Sequence, residues 1–397
     1  MTRSLALRAA GVYLLLRAVT AVMLLLAVDR QVPVLSWTGP TVDYFDLTVL
    51  WDGSWYRTVA EQGYPRELPL HPESGTPSQN AWAFYPLFPL LARGVMGVTG
   101  MSFPVVASSL ALLCGLGAAV LMAGLLADRV HPRVALAAVA VWAAYPASVS
   151  LQLAYTESLA MLVLCGFLWA VMRERWVAAA ALVLVLGVTR PIALPAGAVV
   201  VVALALRWRA RRARRITPGE YAAGAAALVA CGVSGLTWPT IAWAVTGSPT
   251  AYTDTMAAWR AGGEIVPLKP WLWMSEWVFR EFDLADTYGP VALALTVTTL
   301  VVMVLGPWAR ALGPELRTWC LAYPAYLALV LDPFTSIFRY LLPLFPLLVV
   351  MLGGGWVARS PRFLSWRAGT LVVLGVIGQA VWITELLVFV PPSDYPP

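Results

Sequence analysis

Residues 51–56, Trp-Asp-Gly-Ser-Trp-Tyr, combine a carboxylate with aromatic side chains, the residue types in this chain best suited to chemistry. A carboxylate held among aromatic rings loses part of its hydration and can take the proton of a hydroxyl group as a general base. Asp52 is the carboxylate of this segment. A structural role fits the same spacing, because an aspartate followed by Gly53 and Ser54 is also typical of a helix N-cap. The spacing alone leaves both hypotheses open.

A short helix is predicted to carry this carboxylate. Over residues 50–61 the aromatic side chains Trp51 and Trp55 are four residues apart, so they share one face of a helix that would lie on a membrane surface. Asp52 and Tyr56 form the adjacent stripe. The helix would therefore present a carboxylate and a phenol beside an apolar face.

The overall composition indicates what must position this helix. Of the 397 residues, 60% are hydrophobic and only 12% are charged, and the mean hydropathy is +0.75. Water-soluble domains carry about 25% charged residues, so the chain is predicted to be a polytopic membrane protein. Apolar runs such as 105–126 and 371–390 are longer than the strands of a membrane barrel, and helices satisfy their own backbone hydrogen bonds in lipid. The predicted fold is all-α.

Arginines predict the orientation of the spans, because short cytoplasmic loops carry an excess of Lys and Arg. The cytoplasmic clusters are Arg3 and Arg8, Arg129 and Arg133, Arg173 and Arg175, Arg207 to Arg215, Arg310 and Arg317, and Arg359 to Arg367. Connecting them predicts about eleven spans, at residues 10–28, 103–126, 134–152, 155–172, 177–189, 191–206, 221–244, 289–307, 318–332, 338–357 and 368–390. The N-terminus is then cytoplasmic and the C-terminus external, in a single membrane domain covering residues 1–397.

Two apolar segments do not fit a simple span. Residues 81–100 are interrupted by Arg93 and by prolines, and we predict an interfacial or re-entrant helix there. Residues 177–189 and 191–206 are each short and are separated by Thr189-Arg190-Pro191, so two short helices are expected to meet near the external face. Short helices of this kind leave a cavity beside them.

Two long external loops, residues 29–102 and 245–288, are predicted to carry the functional groups. The first holds Asp43, Asp46, Asp52, Glu61, Glu67 and Glu73, and the second holds Asp254, Glu264, Lys269, Glu276, Arg280 and Asp283 among several tryptophans. Aromatic rings with scattered carboxylates suit a sugar or a lipid headgroup. An interfacial aromatic belt with solvated charges has the same composition, so this alternative stays open for the second loop.

Other classes of function are disfavoured. His71 and His131 are predicted to lie on opposite sides of the membrane, so neither a histidine metal centre nor a Ser-His-Asp relay is expected. Asp43 and Asp46 loosely resemble a carboxylate metal clamp, but arginines can hold phosphate charge instead, and no metal or other cofactor is predicted. The net charge of +6 is explained by cytoplasmic arginines rather than by nucleic-acid binding.

Three elements of the first external loop resemble the PIG-V family, which comprises the second mannosyltransferases of glycosylphosphatidylinositol assembly and their bacterial relatives. They are Trp-Asp-Gly-Ser-Trp-Tyr at 51–56, Ala-Glu-Gln-Gly-Tyr at 60–64 and Ala-Phe-Tyr-Pro-Leu-Phe-Pro-Leu at 83–90, in the order that the family shows. Weaker similarity at 154–158, 189–191 and 339–343 extends the resemblance over most of the chain. The arginine, alanine and valine content looks actinobacterial.

The resemblance implies a membrane glycosyltransferase of the C superfamily. Such an enzyme takes a sugar, here mannose by family, from a polyprenyl phosphate and transfers it with inversion on the non-cytoplasmic face of the cell membrane. By position, Asp52 becomes the first candidate for the base, Asp46 the second and Glu61 the third. Relatives often have a polar or acidic residue where this chain has Gly53, Ser54 and Trp55, so the acceptor is left open among a glycolipid, a polysaccharide and a protein hydroxyl.

A polyprenyl-phosphate donor needs cations to hold the phosphate as it leaves. Arg339 and Arg190 stand at external helix ends beside apolar spans, where an unpaired guanidinium is costly, and Lys269 is a third candidate. Either arginine could instead reach lipid headgroups or pair with an acid. The predicted substrate-binding residues are Trp51, Trp55, Tyr56, Tyr64, Tyr85, Tyr155, Glu157 and Tyr340.

Two other classes of function remain as alternatives. A lipid or sugar-lipid transporter is expected to carry charged residues deep in the membrane and an internal repeat, and we identify neither in the sequence. A non-catalytic subunit of an envelope-assembly complex is the third hypothesis, which the dense external carboxylates disfavour.

Overall fold

The computed structural model describes residues 2–34, 37–260, 263, 266–355, 360–391 and 395–397. Glu264 and Arg359, which the sequence analysis placed in the second loop and in a cytoplasmic cluster, lie outside these residues. Within them the protein is all-helical and has no β-strand, with one isolated antiparallel bridge between Leu70 and Pro77. The predicted all-α fold is therefore confirmed for the described part of the chain.

Seventeen α-helices are numbered here in chain order. They are α1 (Arg3–Ala27), α2 (Tyr44–Thr48), α3 (Asp52–Gln62), α4 (Leu87–Thr99), α5 (Phe103–Ala127), α6 (Pro132–Ala144), α7 (Glu157–Met172), α8 (Trp176–Gly187), α9 (Ala196–Arg209), α10 (Pro218–Thr246), α11 (Ala251–Ala258), α12 (Lys269–Glu281), α13 (Tyr288–Leu305), α14 (Gly313–Val330), α15 (Ile337–Tyr340), α16 (Pro346–Met351) and α17 (Leu364–Trp382). Short 3₁₀ segments include Ala81–Ala83, Pro146–Gln152 and Leu342–Leu344, and a π-helical turn, Ile383–Leu387, follows α17.

Five helical segments of the described chain are long and apolar enough to cross a bilayer. They are Arg3–Arg30, Phe103–Ala127, Pro218–Thr246, Tyr288–Leu305 and Leu364–Leu387, and a sixth results if α6 and Pro146–Gln152, which meet at 83°, form one broken span. These helices are compatible with a multi-pass membrane protein. The other predicted spans form shorter helices, such as α7 and α8, so the total of about eleven stays a prediction.

The helices pack around α5, which contacts α1, α6 and α7, while α8 lies against α7 and α10. Small residues permit the closest approaches. A Cβ atom at Gly187 of α8 would lie 2.6 Å from the backbone oxygen of Ser234 in α10. This contact holds the N-terminal half of the bundle against α10.

Both irregular segments contain the short helices that the sequence predicted, while their positions relative to the membrane stay predictions. Helix α4 has 13 residues and ends at Gly100, which adopts the left-handed conformation, so it is shorter than the roughly 20 residues that a perpendicular span needs. Helices α8 and α9 are separate and short, at 12 and 14 residues. Helix α9 begins at Ala196 rather than at Pro191, because Pro191 and Pro195 interrupt the helical hydrogen bonds between them.

The sequence analysis identified no charged residue deep in the predicted spans, and this was wrong. Arg17 lies within the first predicted span, in the middle of α1, and is only 3% exposed. A charged residue is therefore present deep in an apolar helix. Its guanidinium donates to the backbone oxygens of Ala143 and Ser148, at the bend between α6 and Pro146–Gln152.

Replacing Gly187 with alanine should destabilise the protein by about 1–3 kcal/mol, because the new methyl group must displace the backbone of Ser234. The matched control is Gly232→Ala on the exposed face of α10, where a Cβ atom meets nothing within 4 Å. Thermal unfolding of the purified protein in detergent, followed by tryptophan fluorescence, checks the difference. Equal unfolding temperatures for the two variants would contradict the close packing of α8 on α10.

Candidate active site

The entry into α3 is held in an unusual backbone conformation. Trp51 has φ 57° and ψ −119°, in the left-handed half of conformational space where a residue with a side chain is strained. Tertiary contacts hold it there, since the indole Nε1 donates to the Leu387 backbone oxygen at 2.8 Å and the ring packs on Trp37 and Phe389. Trp51, predicted to bind substrate, therefore anchors the start of α3 to the end of the chain.

Asp52 is the first residue of α3 and does not cap it. No side chain makes an N-cap hydrogen bond on this helix, and the Asp52 carboxylate instead accepts a hydrogen bond from Nη1 of Arg339 at 2.7 Å. The side chain of Asp52 is 27% exposed. The capping hypothesis for Asp52 is thus wrong, and the aspartate that does cap a helix in this loop is Asp43, at the start of α2.

Glu157 joins the two arginines that the sequence analysis selected. Its Oε1 atom accepts from Nη1 of Arg339 at 2.9 Å and lies 2.7 Å from Nη1 of Arg190. Glu157 and Arg339 are 3% and 5% exposed, and the side chain of Arg190 is 11% exposed. Buried charges of this kind are stable only when each has a partner. One continuous group of paired charges is therefore formed by Asp52, Arg339, Glu157 and Arg190, and it is called the ionic cluster below.

Two tyrosines flank the guanidinium groups of the ionic cluster. Arg339 lies over the ring of Tyr155 at 5.0 Å, and Arg190 lies over the ring of Tyr340 at 4.8 Å. The Tyr155 hydroxyl donates to the Leu50 backbone oxygen, two residues before Asp52. These cation–π contacts orient the arginines without neutralising them. Both tyrosines belong to the predicted substrate-binding set.

Thr156 links the cluster to α3, and the sequence analysis did not identify it. Its Oγ1 atom accepts from Nη1 of Arg190 and lies 3.2 Å from the hydroxyl of Tyr56. Burial raises the pKa of the Tyr56 phenol well above its ordinary value, and the Asp52 carboxylate adds to the increase. The Tyr56 hydroxyl therefore stays protonated. The only local signal for Thr156 was its position between Tyr155 and Glu157.

A small cavity of about 90 Å³ opens beside Arg190. Tyr85, Tyr252, Tyr326 and Ser234 contribute to its lining, together with residues 187–194 from the break between α8 and α9. The cavity predicted beside the two short helices is therefore present. It places aromatic hydroxyl groups next to a buried cation.

Three predicted residues have other contacts. Asp46 accepts from the backbone N–H of Asp43 in a capping box, and Glu61 pairs with Arg57 on an exposed turn of α3. The ammonium group of Lys269 lies 4.3 Å from the ring centre of Trp273. None of these contacts is with the ionic cluster, so of the three candidate carboxylates Asp52, Asp46 and Glu61 only Asp52 belongs to the cluster in the described residues.

The remaining aromatic residues of the predicted substrate-binding set form a layer next to the ionic cluster. Trp55 stacks on Phe84 at 5.6 Å, and Tyr64 stacks on Trp82 at 4.6 Å and donates to the Phe84 backbone oxygen. Tyr85, also predicted, approaches Tyr252 hydroxyl to hydroxyl at 3.2 Å. These contacts join the three motifs of the first loop into one aromatic wall.

The acidic residues of the ionic cluster do not form a metal site. Asp52 and Glu157 already bind guanidinium groups, and the described residues contain no group of three His, Cys, Asp or Glu side chains that could hold a metal ion. The arrangement can instead hold an anion with arginine and accept a proton with aspartate.

The chain matches no protein-family model and no curated protein sequence. The resemblance to the PIG-V family therefore rests on the motifs in residues 45–90 and on the weaker segments near 154, 189 and 339.

Replacing Glu157 with glutamine should destabilise the protein by about 3–5 kcal/mol, because two buried guanidinium groups lose their shared counter-charge. Glu61→Gln is the control, since the Arg57–Glu61 pair is largely exposed and should contribute less than about 1 kcal/mol. Thermal unfolding in detergent at low and high salt measures both. A Glu157→Gln variant as stable as the wild type would show that the cluster is not an ion-pair network.

Proposed function

We propose that this protein is an inverting glycosyltransferase of the C superfamily that moves a sugar from a polyprenyl-phosphate donor to a hydroxyl group. The observation that carries the proposal is the ionic cluster. A half-buried carboxylate, Asp52, pairs with the buried Arg339, which shares Glu157 with the buried Arg190. Arg190 also lines a cavity to which Tyr85, Tyr252 and Tyr326 contribute. Acid–base chemistry next to anion binding is what this transfer needs.

The arginines would bind the donor phosphate. In the structure Nη1 of Arg339 makes both carboxylate contacts of that residue, and Nη1 of Arg190 contacts Glu157 and Thr156. A guanidinium group has five N–H donors, so each arginine retains donors for phosphate oxygens. Glu157 would keep both cations in position, and Arg339 would exchange its contact with Asp52 for the phosphate. Asp52 would then be free to act.

The proposed chemical step balances with these groups. The acceptor hydroxyl oxygen forms a bond to the anomeric carbon while the bond from that carbon to the phosphate oxygen breaks. Asp52 takes the hydroxyl proton, and the leaving lipid phosphate takes the electron pair and gains a negative charge. Arg190 and Arg339 would stabilise that charge as it develops, which is where electrostatic catalysis has its largest effect.

The remaining parts of the proposal rest on the family resemblance. They are mannose as the sugar, the C-superfamily fold and an active site on the non-cytoplasmic face. About eleven spans and a cytoplasmic N-terminus in the cell membrane are proposed from the apolar runs and the arginine pattern. Aromatic side chains near the cluster, among them Trp55, Tyr85 and Tyr340, suit the apolar faces of a sugar ring. The acceptor stays open among lipid, glycan and protein hydroxyls.

Asp52→Asn should lower the rate of sugar transfer by about 10²–10⁴-fold, because an amide cannot take the hydroxyl proton. The assay measures transfer of radiolabelled mannose from polyprenyl-phosphate-mannose into membrane lipids and proteins at matched expression. Asp46→Asn is the matched control and should keep most of its activity, because Asp46 only completes the cap of α2. The labelled product would identify the acceptor.

The assay has two outcomes that oppose the proposal. Full activity of Asp52→Asn with loss in Asp46→Asn would move the base to Asp46. If the incorporated label never exceeds that of membranes lacking the protein, the proposal of mannose transfer is wrong. A flux of labelled lipid across vesicle membranes would then favour the transporter hypothesis.

Arg190→Gln should reduce kcat/KM for the donor by about 10²-fold or more, because a charge-assisted hydrogen bond to the leaving phosphate is lost. Lys269→Gln is the control and should leave kcat/KM nearly unchanged, since Lys269 lies on the ring of Trp273. Unfolding temperatures of both variants separate a catalytic loss from a folding defect. An equal loss in both variants would contradict the assignment of Arg190.

A further inference from the structure

Arg17 is a buried cation that the proposed reaction does not use. It lies at the fifteenth position of α1, a 25-residue apolar helix, and it is 3% exposed. Among the salt bridges of the described residues, none involves Arg17. A charge inside an apolar helix is expensive, and it normally has a counter-charge or a function.

The contacts of Arg17 satisfy its hydrogen bonds only in part and leave its charge uncompensated. Nη2 donates to the Ala143 backbone oxygen at 2.5 Å, and Nη1 donates to the Ser148 backbone oxygen. These carbonyls flank the bend after α6. Nε has no hydrogen-bond partner among the described residues. Neutral carbonyl oxygens do not replace the full counter-ion that a buried guanidinium needs.

Arg17 lines a groove of about 350 Å³ between α1, α2 and α5. One part of the groove is polar, with Arg17, Tyr44 and Gln152, and Nε2 of Gln152 donates to the Tyr44 hydroxyl at 3.0 Å. The rest is mainly apolar. It is lined by Leu14, Ala18, Ala21, Phe45 and Leu112, with Ser108 and Ser109. The groove thus combines one cation, four uncharged polar side chains and an apolar surface.

We propose that this groove binds an anionic lipid, with its phosphate at Arg17 and its hydrocarbon chain along α1 and α5. Charge complementarity selects this occupant, because a phosphate supplies the counter-charge that Arg17 lacks, and arginine is well suited to phosphate oxygens. A free inorganic anion is a poorer ligand for this groove, because it would leave the apolar wall uncovered. Tyr44 and Gln152 would donate or accept at the other phosphate oxygens.

The groove is distinct from the ionic cluster but is connected to it through the chain. Tyr44 belongs to α2, which ends four residues before Asp52, and Gln152 lies five residues before Glu157. The Ala154 N–H also donates to the Thr48 backbone oxygen at 2.8 Å, which ties the two segments together. Binding in the groove would therefore fix the relative position of both carboxylate-bearing segments. The binding inference itself does not depend on the proposed function.

Lipid retention by the full-length protein tests this site. The purified protein in neutral detergent is titrated separately with phosphatidylglycerol, polyprenyl phosphate and zwitterionic phosphatidylcholine, and bound lipid is counted by native mass spectrometry. Leu14→Trp fills the groove from an exposed position of α1 and should weaken binding of the anionic lipids about tenfold or more. Leu15→Trp is the matched control on the same helix, because Leu15 is exposed but does not line the groove.

A second variant places a large side chain on the wall of the groove that α5 forms. Ser109→Trp, on an exposed position of α5 that lines the groove, should weaken binding as Leu14→Trp does. Tighter binding of phosphatidylglycerol would identify a membrane phospholipid as the occupant, and tighter binding of polyprenyl phosphate would identify the carrier lipid; both support the site.

Two results would overturn the inference. In the first, Leu14→Trp and Ser109→Trp retain the anionic lipids as well as the wild type and Leu15→Trp do. In the second, phosphatidylcholine binds as tightly as the anionic lipids, so that the charge of Arg17 selects nothing. Asp52→Asn should bind phosphatidylglycerol like the wild type, so loss of sugar transfer and loss of lipid binding in the groove can be told apart.

Discussion

The guanidinium group of Arg339 connects two segments that are 287 residues and 182 residues away from it in the chain, through Asp52 and Glu157. Since all three side chains are largely buried, the arrangement persists only while each charge keeps its partner. Removing Glu157 would take the shared counter-charge from both buried arginines. The first loop, the start of α7 and the short helix α15 are therefore held together by electrostatics, within a bundle that is otherwise apolar.

The same cluster explains why its surroundings are irregular. Trp51 adopts a strained backbone so that α3 begins at Asp52 and points its carboxylate toward Arg339. Arg190 lies in the break between α8 and α9 and pairs there with Glu157. Helix breaks, positive φ and buried charge occur together because a polar site inside an apolar bundle needs backbone that leaves the regular helix.

The arginines of the ionic cluster have carboxylate partners, whereas Arg17 has no counter-charge among the described residues. In the ionic cluster two arginines face two carboxylates, so its formal charge is neutral before any substrate arrives. Arg17 has neutral carbonyl partners and no salt bridge among the described residues. We therefore expect the cluster to exchange one anion for another, whereas the groove at Arg17 gains an anion. The proposed sugar transfer and the proposed lipid binding follow from this difference.

The sequence by itself determined the all-helical architecture, the two short helices α8 and α9, and the selection of Arg190 and Arg339 as candidates, because hydropathy and the position of a charge beside an apolar run are local properties. Asp52 was selected through the resemblance to the PIG-V family. The sequence did not separate a capping role for Asp52 from a reactive one, and it overlooked Arg17. Only the tertiary structure shows that Asp52 pairs with Arg339 instead of capping α3 and that Arg17 is buried, since the partner of a charged side chain is chosen by helices packed together from distant parts of the chain. Local spacing carries no information about which buried charges meet.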